Sequence, residues 1–323
     1  MIDKYEILAL RNIKGVGSKA ISKIMACLDD FGAVTLLDID LKLLIHNPSL
    51  SQFKKVLEAG LSRDYLEDAI FHSRQDIDKW ETLGVTVIPI NSALYPEPLR
   101  LIRSPPELIF CKGNITLLSQ HKNVAIIGTR QNTPLGKAIA AKTTQFLVSS
   151  GYCVVSGLAL GIDAISHEAC LKCDGQTIAV LVDVDNVQPN KNRDLAARIL
   201  TNGGLLIAEN PPGIPITPPL FIKRDRIQTG LSLAVFPIET ALDGGTMHAV
   251  KAAKQENRLI YVPDHNKSGY PDKSIKQIEG IIYLSKDPDI ESYTKDSYTN
   301  IIKQLDEKEA ELLNVGRLQG TFL

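Results

Sequence analysis

The chain reads as a doubly wound α/β protein with a mainly parallel sheet, preceded by a small all-helical domain. Eight short apolar runs rich in Val and Ile lie between residues 84 and 264, most of them separated by segments of helical period. Continuous apolar strands alternating with helices belong to a sheet covered on both faces. Residues 1 to about 76, by contrast, carry apolar residues at helical spacing and no credible strand. Several of the apolar runs also end on glycine with a hydroxyl or arginine beside it, just ahead of a helix, which is where sheets of this kind bind ligands.

Taken in order, "ILALRNIKGVGSKAISKIMACLDDFG" has helical spacing on both sides of "GVG", and "FKKVLEAGLSRDYLEDAIFHSRQDIDKWETLG" continues it. The strands expected next are "GVTVIPI", "ELIFCKG", "NVAIIGT", "GYCVVSGL", "TIAVLVD", "GGLLIAEN", "SLAVFPIE" and "RLIYVPD". Helices are expected over 136–150, 162–173, 192–202, 223–230 and 246–256. The five prolines of "NPPGIPITPPL" imply a stiff, strandless loop over the sheet edge. The last 30 or so residues suggest one or two amphipathic, mostly acidic helices. The domains expected are therefore 1–76, 77–290 and a helical tail over 291–323.

With 323 residues, 44% of them hydrophobic, the chain can bury the core of one large domain and a smaller one. No apolar run approaches the roughly 20 residues that a membrane-spanning helix needs. The start "MIDKYEILAL" is acidic where a signal peptide is basic, so a cytoplasmic protein without membrane contact is expected. Five cysteines, an odd number, suggest reduced thiols. Cys170 and Cys173 form a Cys-x-x-Cys pair with no second pair or His-x-His partner, so helix packing is expected and neither a metal site nor a cofactor. A net charge of -1 gives the whole chain no electrostatic reason to seek nucleic acid. Any such binding must be local, and the block 81–290 is slightly basic, 21 against 19.

The chemistry-bearing residues cluster at three strand ends. After "VAII", Gly128 permits a sharp turn, Thr129 offers a hydroxyl and Arg130 a rigid fork of donors near a helix start that favours an anion, for which phosphate is the natural guess. "GTRQNTPLGK" fails as a Walker A loop, because seven residues separate its glycines and Ala138 stands where a magnesium-binding Ser or Thr belongs. "VVSGLALGID" places Ser156, Gly157 and Gly161 ahead of the next helix, without the Gly-x-Ser-x-Gly of a serine nucleophile elbow. "PIETALDGGTMHAV" repeats the pattern with Gly244, Gly245 and Thr246. One composite anion site is expected, with no catalytic residue assigned.

Placed in order, these segments resemble the DprA/Smf family, the DNA-processing protein A of bacterial transformation and recombination. The resemblance runs from about Gly84 to Asp264 through "ALYPEPLRLIRSPPELIFCKGN", "VAIIGTRQNTPLG", "VVSGLALGIDAISHEAC", "TIAVLVDVDNVQPNKNRDL", "GGLLIAENPPG", "PLFIKRDRIQTGLSLAVFPIETALDGGTMHAV" and "RLIYVP". It implies a Rossmann-like domain behind a SAM-like or helix-hairpin-helix module containing "IKGVG". It also implies single-stranded DNA in a basic pocket, homodimers and delivery of the strand to a RecA-type recombinase. Carried over by position, Gly128 and Arg130 hold a phosphate, Phe221 stacks on a base, and Lys223, Arg224 and Arg226 line the pocket. Cations with an aromatic face suit sequence-tolerant single-strand binding.

The departures from the family pattern are Leu160 for an arginine, Asp225 for an asparagine between two arginines, and Asp243 for a basic or polar residue. Asp225 and Asp243 are expected to oppose an anion, which implies weaker DNA binding or another ligand. A second reading is therefore a nucleotide sensor or nucleotide-processing enzyme in which Asp163, Glu239 and Asp243 contact ribose or move protons and His248 carries one. A third is a partner-binding scaffold with a vestigial site. The strands "LSLAVFPIE" and "RLIYVPD" are expected at a sheet end that pairs with its copy. The "GVG" turn, flanked by Lys14 and Lys19, is open between a phosphate grip and plain helix packing.

Overall fold

The computed structural model describes residues 2–270 and 274–320. The chain divides into two compact units, one of Met1–Tyr95 with Ser104–Cys111, the other of Pro96–Arg103 with Lys112–Leu323.

The first unit carries α1 (Lys4–Asn12), α2 (Ser18–Asp30), α3 (Leu41–Ile45), α4 (Lys54–Gly60) and α5 (Arg63–Thr82), then β1 (Val85–Pro89) beside β2 (Leu108–Gly113), whose last two residues belong to the second unit. Asp3 and Glu6 form a capping box at the start of α1. Glu6 is buried there because its other oxygen accepts a hydrogen bond from Leu36 N at 2.6 Å. Gly15 and Gly17 form the turn into α2, with Lys14 and Lys19 exposed on either side. The expected boundary at 76 falls within α5, which is stapled by the edge-to-face contact of Trp80 with Phe110 of β2.

The second unit adds α6 (Glu97–Arg100), β3 (Asn123–Ile127), α7 (Pro134–Ser149), β4 (Cys153–Ser156), α8 (Ile162–Lys172), β5 (Thr177–Leu181), α9 (Arg193–Thr201) and β6 (Leu205–Ala208). It continues through α10 (Pro218–Gly230), β7 (Ala234–Pro237), α11 (Thr246–Gln255), β8 (Leu259–Pro263), α12 (Lys276–Leu284), β9 (Glu291–Tyr293) and α13 (Tyr298–Gly320). Its strands lie in the order β6-β5-β4-β3-β7-β8-β9, and every adjacent pair is parallel. From β3 the chain winds outward through β4, β5 and β6, then returns to the other side of β3 with β7. The direction of winding reverses between β3 and β7, the point at which such sheets bind ligands beyond the carboxyl ends of their strands.

Alternate residues of each strand feed opposite faces. Val124, Ile126, Ala234 and Phe236 pack with Ala140 and Leu147 of α7, Ile162 of α8, and Ile301 and Leu305 of α13. Ala125, Ile127 and Val235 pack on the other side with Ala249, Val250 and Ala253 of α11 and with Ile281 and Leu284 of α12. This is the two-sided burial that the unbroken apolar runs implied.

Three local expectations change. The proline run "NPPGIPITPPL" is strandless, but Pro218 and Pro219 open α10, where a missing N–H costs nothing, so this helix begins at 218 instead of 223. The strands of "LSLAVFPIE" and "RLIYVPD" are interior, β7 between β3 and β8 and β8 between β7 and β9, so neither is free to pair with a copy. The edge strand β9 and helix α12 were not anticipated, the strand because three residues leave no period to read. The tail's one long helix, α13, agrees with the one or two expected, and 321–323 lie outside the described residues.

Phe236 is fully buried, stacked on Tyr261 with centroids 5.0 Å apart and edge-on to Tyr293 at 5.8 Å. Phe236→Ala is expected to cost about 3–5 kcal/mol of unfolding free energy in urea titration, through lost transfer energy and the cavity left behind. A loss under about 1 kcal/mol would show that this ring is not a centre of the core.

Candidate nucleic-acid interface

A cavity of about 740 Å³ opens beyond the ends of β3, β4 and β7. Its wall includes Gly128, Thr129, Arg130, Gly157, Leu160, Asp163, Phe221, Arg224, Asp225, Gly244, Gly245 and Thr246, so all three glycine-bearing loops meet there. The backbone ties them together. Thr129 N donates to Glu239 O at 2.7 Å, Ile162 N donates to Thr129 O at 3.2 Å, and Gly244 N donates to Ala241 O at 3.1 Å.

Two of the glycines are required by geometry. Gly161 sits at φ +80°, where side-chain-bearing residues are strained, and a Cβ there would overlap Thr129 O and crowd the Arg130 backbone. A Cβ on Gly157 would overlap the guanidinium of Arg224. Between them Leu158, fully buried, adopts φ +55°, and its carbonyl accepts from Asn192 Nδ2 at 2.8 Å. Strain of this kind persists only where the surroundings over-determine the backbone, which fits a loop held for a ligand.

Arg224 is the centre of the cavity's charge. It is buried, with Nη2 donating to Gly157 O at 3.1 Å and Nη1 to Asp225 Oδ1 at 3.1 Å. Asp163, also buried, accepts from Gly157 N at 3.2 Å and feels the same guanidinium. Burial pushes the carboxyl of Asp163 upward against that attraction. Burial likewise pushes Asp225 up to about 6, with Arg224 opposing the rise and Asp163 adding to it. One cation thus faces two carboxylates. Arg130 is different: it is exposed at the mouth and makes no ion pair or side-chain hydrogen bond with a described residue.

Other expected residues lie elsewhere. Ser156 is buried with its hydroxyl donating to Ile126 O at 2.6 Å, and Gly161 packs behind the Thr129 loop; neither lines the cavity. Lys223 and Arg226 also lie outside its wall, because both pair with Glu209, at 3.1 and 2.7 Å. Glu209 is buried at the end of β6, so the cations of "FIKRDR" meet a counter-charge about 15 residues upstream that no local pattern signals. Phe221 does line the cavity, from the first turns of α10. Asp243 is exposed and paired with Lys276 at 3.1 Å, outside the wall, so of the two acidic departures only Asp225 acts inside the cavity.

The acid and base candidates of the second reading divide in the same way. Both oxygens of Glu239 are taken, accepting from Thr133 N at 2.8 Å and Thr133 Oγ1 at 2.6 Å. Glu239 therefore fastens the start of α7 and is not poised to move a proton. His248 is exposed on α11 and acts on Asp225 through its charge. Gln188, Gln228 and Thr240 line the cavity without having been expected, since polar residues carried in by the fold leave no motif. Cys170 is buried with its thiol on Gln176 O at 3.3 Å, and burial pushes it up to about 12, which leaves it inert packing. Among the described residues no cluster of His, Cys, Asp or Glu could hold a metal ion, and no helix is long and apolar enough to cross a membrane.

The family model of DNA recombination-mediator protein A matches residues 86–280. The chain is 31% identical over 244 residues to DNA processing protein DprA of Bacillus subtilis, a match covering 72% of this chain and 82% of that protein. It is 39% identical over 171 residues to Protein Smf of Synechocystis, covering 52% of this chain and 43% of that longer protein. Among solved structures, DprA of Streptococcus pneumoniae aligns over 92% of this chain and 97% of its own with a TM-score of 0.73 and 24% identity, a likeness of fold. DNA processing protein A of Helicobacter pylori, whose structure describes a single-stranded DNA binding mode, aligns over 69% of this chain and 96% of its own with a TM-score of 0.59 and 25% identity.

The raised carboxyl of Asp225 fixes the sign of a pH effect. The folded chain holds a proton below about 6 that the unfolded chain releases near 3.8, so this group's contribution to stability falls as pH rises through that window. Asp225→Asn is expected to flatten the fall in urea midpoint between pH 4 and pH 6.5 relative to the parent, with Arg224, Asp163 and His248 unchanged around it. Identical slopes in parent and variant would show that Asp225 does not titrate in this way.

Proposed function

The chain belongs to the family of DNA recombination-mediator protein A, and from that membership we propose that it is a recombination mediator that binds single-stranded DNA in the cavity at the ends of β3, β4 and β7. The observation that carries this reading is Arg130, an exposed guanidinium with no partner among the described residues, at the mouth of a cavity walled by three glycine-bearing loops and Phe221. An unpaired cation loses no internal contact when it takes a phosphate. Close backbone approach leaves room for the strand, and an aromatic face gives a base somewhere to stack.

Homodimerisation and hand-over of the strand to a RecA-type recombinase in the cytoplasm complete the proposal, supported by the family resemblance. Arg224 supports it differently from the way its sequence position implied. Held by Gly157 and two carboxylates, it shapes the cavity and offers little net charge. Lys223 and Arg226, paired with Glu209, anchor α10 and so set the position of Phe221.

Arg130→Ala is expected to leave the unfolding transition within about 0.5 kcal/mol of the parent. Affinity for a short oligonucleotide should fall by the loss of one charged contact, about 1.5–3 kcal/mol. The slope of log K against log salt should flatten by about 0.7, the counterion yield of one single-strand phosphate. Anisotropy titrations at several salt concentrations read both quantities. Unchanged affinity and slope would remove the cavity mouth as the phosphate site.

A further inference from the structure

Asp225 lines the cavity with its side chain 16% exposed. Its Oδ1 is fully engaged, by Arg224 Nη1 at 3.1 Å and by Gln228 Nε2 at 3.0 Å. Its Oδ2 accepts no hydrogen bond from a described residue. Behind that wall two further polar atoms lack partners, Arg224 Nε and Gln228 Oε1, both shut off from the cavity on residues that are 7% and 2% exposed. The free Oδ2 of Asp225 is thus the acceptor that this stretch of wall offers an occupant.

Part of the remaining wall is apolar. Leu160 and Ile222 are large hydrophobic side chains left 36% and 50% exposed, and Phe221, Ala241 and Ala249 join them. An occupant that suits both parts has flat apolar faces and a polar edge rich in donors, which describes a nucleobase.

We propose that the cavity holds a base subsite that selects nucleobases bearing an exocyclic amino group, with Asp225 as the residue that sets the preference; the proposal rests on the single-strand reading above. Carboxylates accept readily from the amino group of cytosine. In uracil and thymine the same ring position carries a carbonyl oxygen, which would meet the carboxylate lone pair against lone pair. Beside the amino group, cytosine and adenine present a ring nitrogen that needs a donor, and the Arg224 guanidinium stands on that wall. The residue that opposes an anion at the cavity mouth thereby becomes the one that reads the base.

Oligo(dC) and oligo(dU) of equal length isolate this contact, since the bases match in size and differ at the reading edge. At about pH 7.5 and fixed salt, anisotropy titration of the parent is expected to show oligo(dC) bound roughly 10-fold more tightly, within the range of one good base contact. Asp225→Asn, whose amide can turn either a donor or an acceptor to the base, should bring the ratio to about one. The parent also carries an internal test. As Asp225 takes up its proton, with a carboxyl pushed up to about 6, it can donate to the uracil carbonyl, so the ratio should fall at about pH 5. His248, Arg224 and Asp163, the other groups acting on Asp225, are common to both strands, so the ratio compares the strands at the same surroundings. Equal binding of the two strands by the parent, or a ratio unaltered in Asp225→Asn, would overturn the base subsite and leave the single-strand reading standing. Binding of neither strand would overturn both.

Discussion

The buried guanidinium of Arg224 is the contact on which the site's shape depends. It reaches from α10 to the carbonyl of Gly157 at the end of β4, pairs with Asp225 on its own helix, and shares its field with Asp163 on α8. Two stretches distant in sequence, the β4–α8 loop with the start of α8 and helix α10, are thereby fixed around one side chain. Taking a charge out of water is costly, so such a group gives position more than net stability, and removing one partner leaves the others exposed to that cost. Gly157 is the matching constraint, because a methyl there would occupy the space of the guanidinium. The strained Leu158 and the positive φ of Gly161 follow from a loop bent around this contact.

That arrangement leaves the cavity with nearly balanced charge, two arginines and two carboxylates in its wall. A site that bound DNA through bulk positive charge would be built differently. Here electrostatic attraction is concentrated in Arg130 at the mouth, while the interior offers apolar faces and the free Oδ2 of Asp225. With single-stranded DNA in such a site, as proposed, affinity is expected to depend more on stacking and edge contacts than on phosphate neutralisation, with a correspondingly shallow salt dependence.

The sequence made the scaffold legible because buried parallel strands leave a plain signal. All eight apolar runs are strands, and the helices over 162–172, 193–201 and 246–255 fall within a residue or two of expectation. The three glycine-bearing strand ends were readable for the same reason, since each follows such a run. Pairings between distant residues were not readable. Lys223 and Arg226 look like ligand-facing cations until Glu209 is brought beside them, and Glu239 looks like an acid until Thr133 fills both its oxygens. Asp243 looks like a cavity carboxylate until Lys276 arrives from a helix that the sequence did not announce. In each case the residue type was visible and its partner was supplied only by the fold.

The proposed place of the nucleic acid is the cavity at the reversal between β3 and β7. Hydrogen exchange of the whole chain, with and without saturating oligo(dC), tests this most directly, because it reports every backbone segment at once. Added protection is expected at 128–131, 157–161 and 244–246 together, with little change in the first unit. Protection confined to the Gly15–Gly17 turn and the start of α2, with the three loops unaltered, would contradict it.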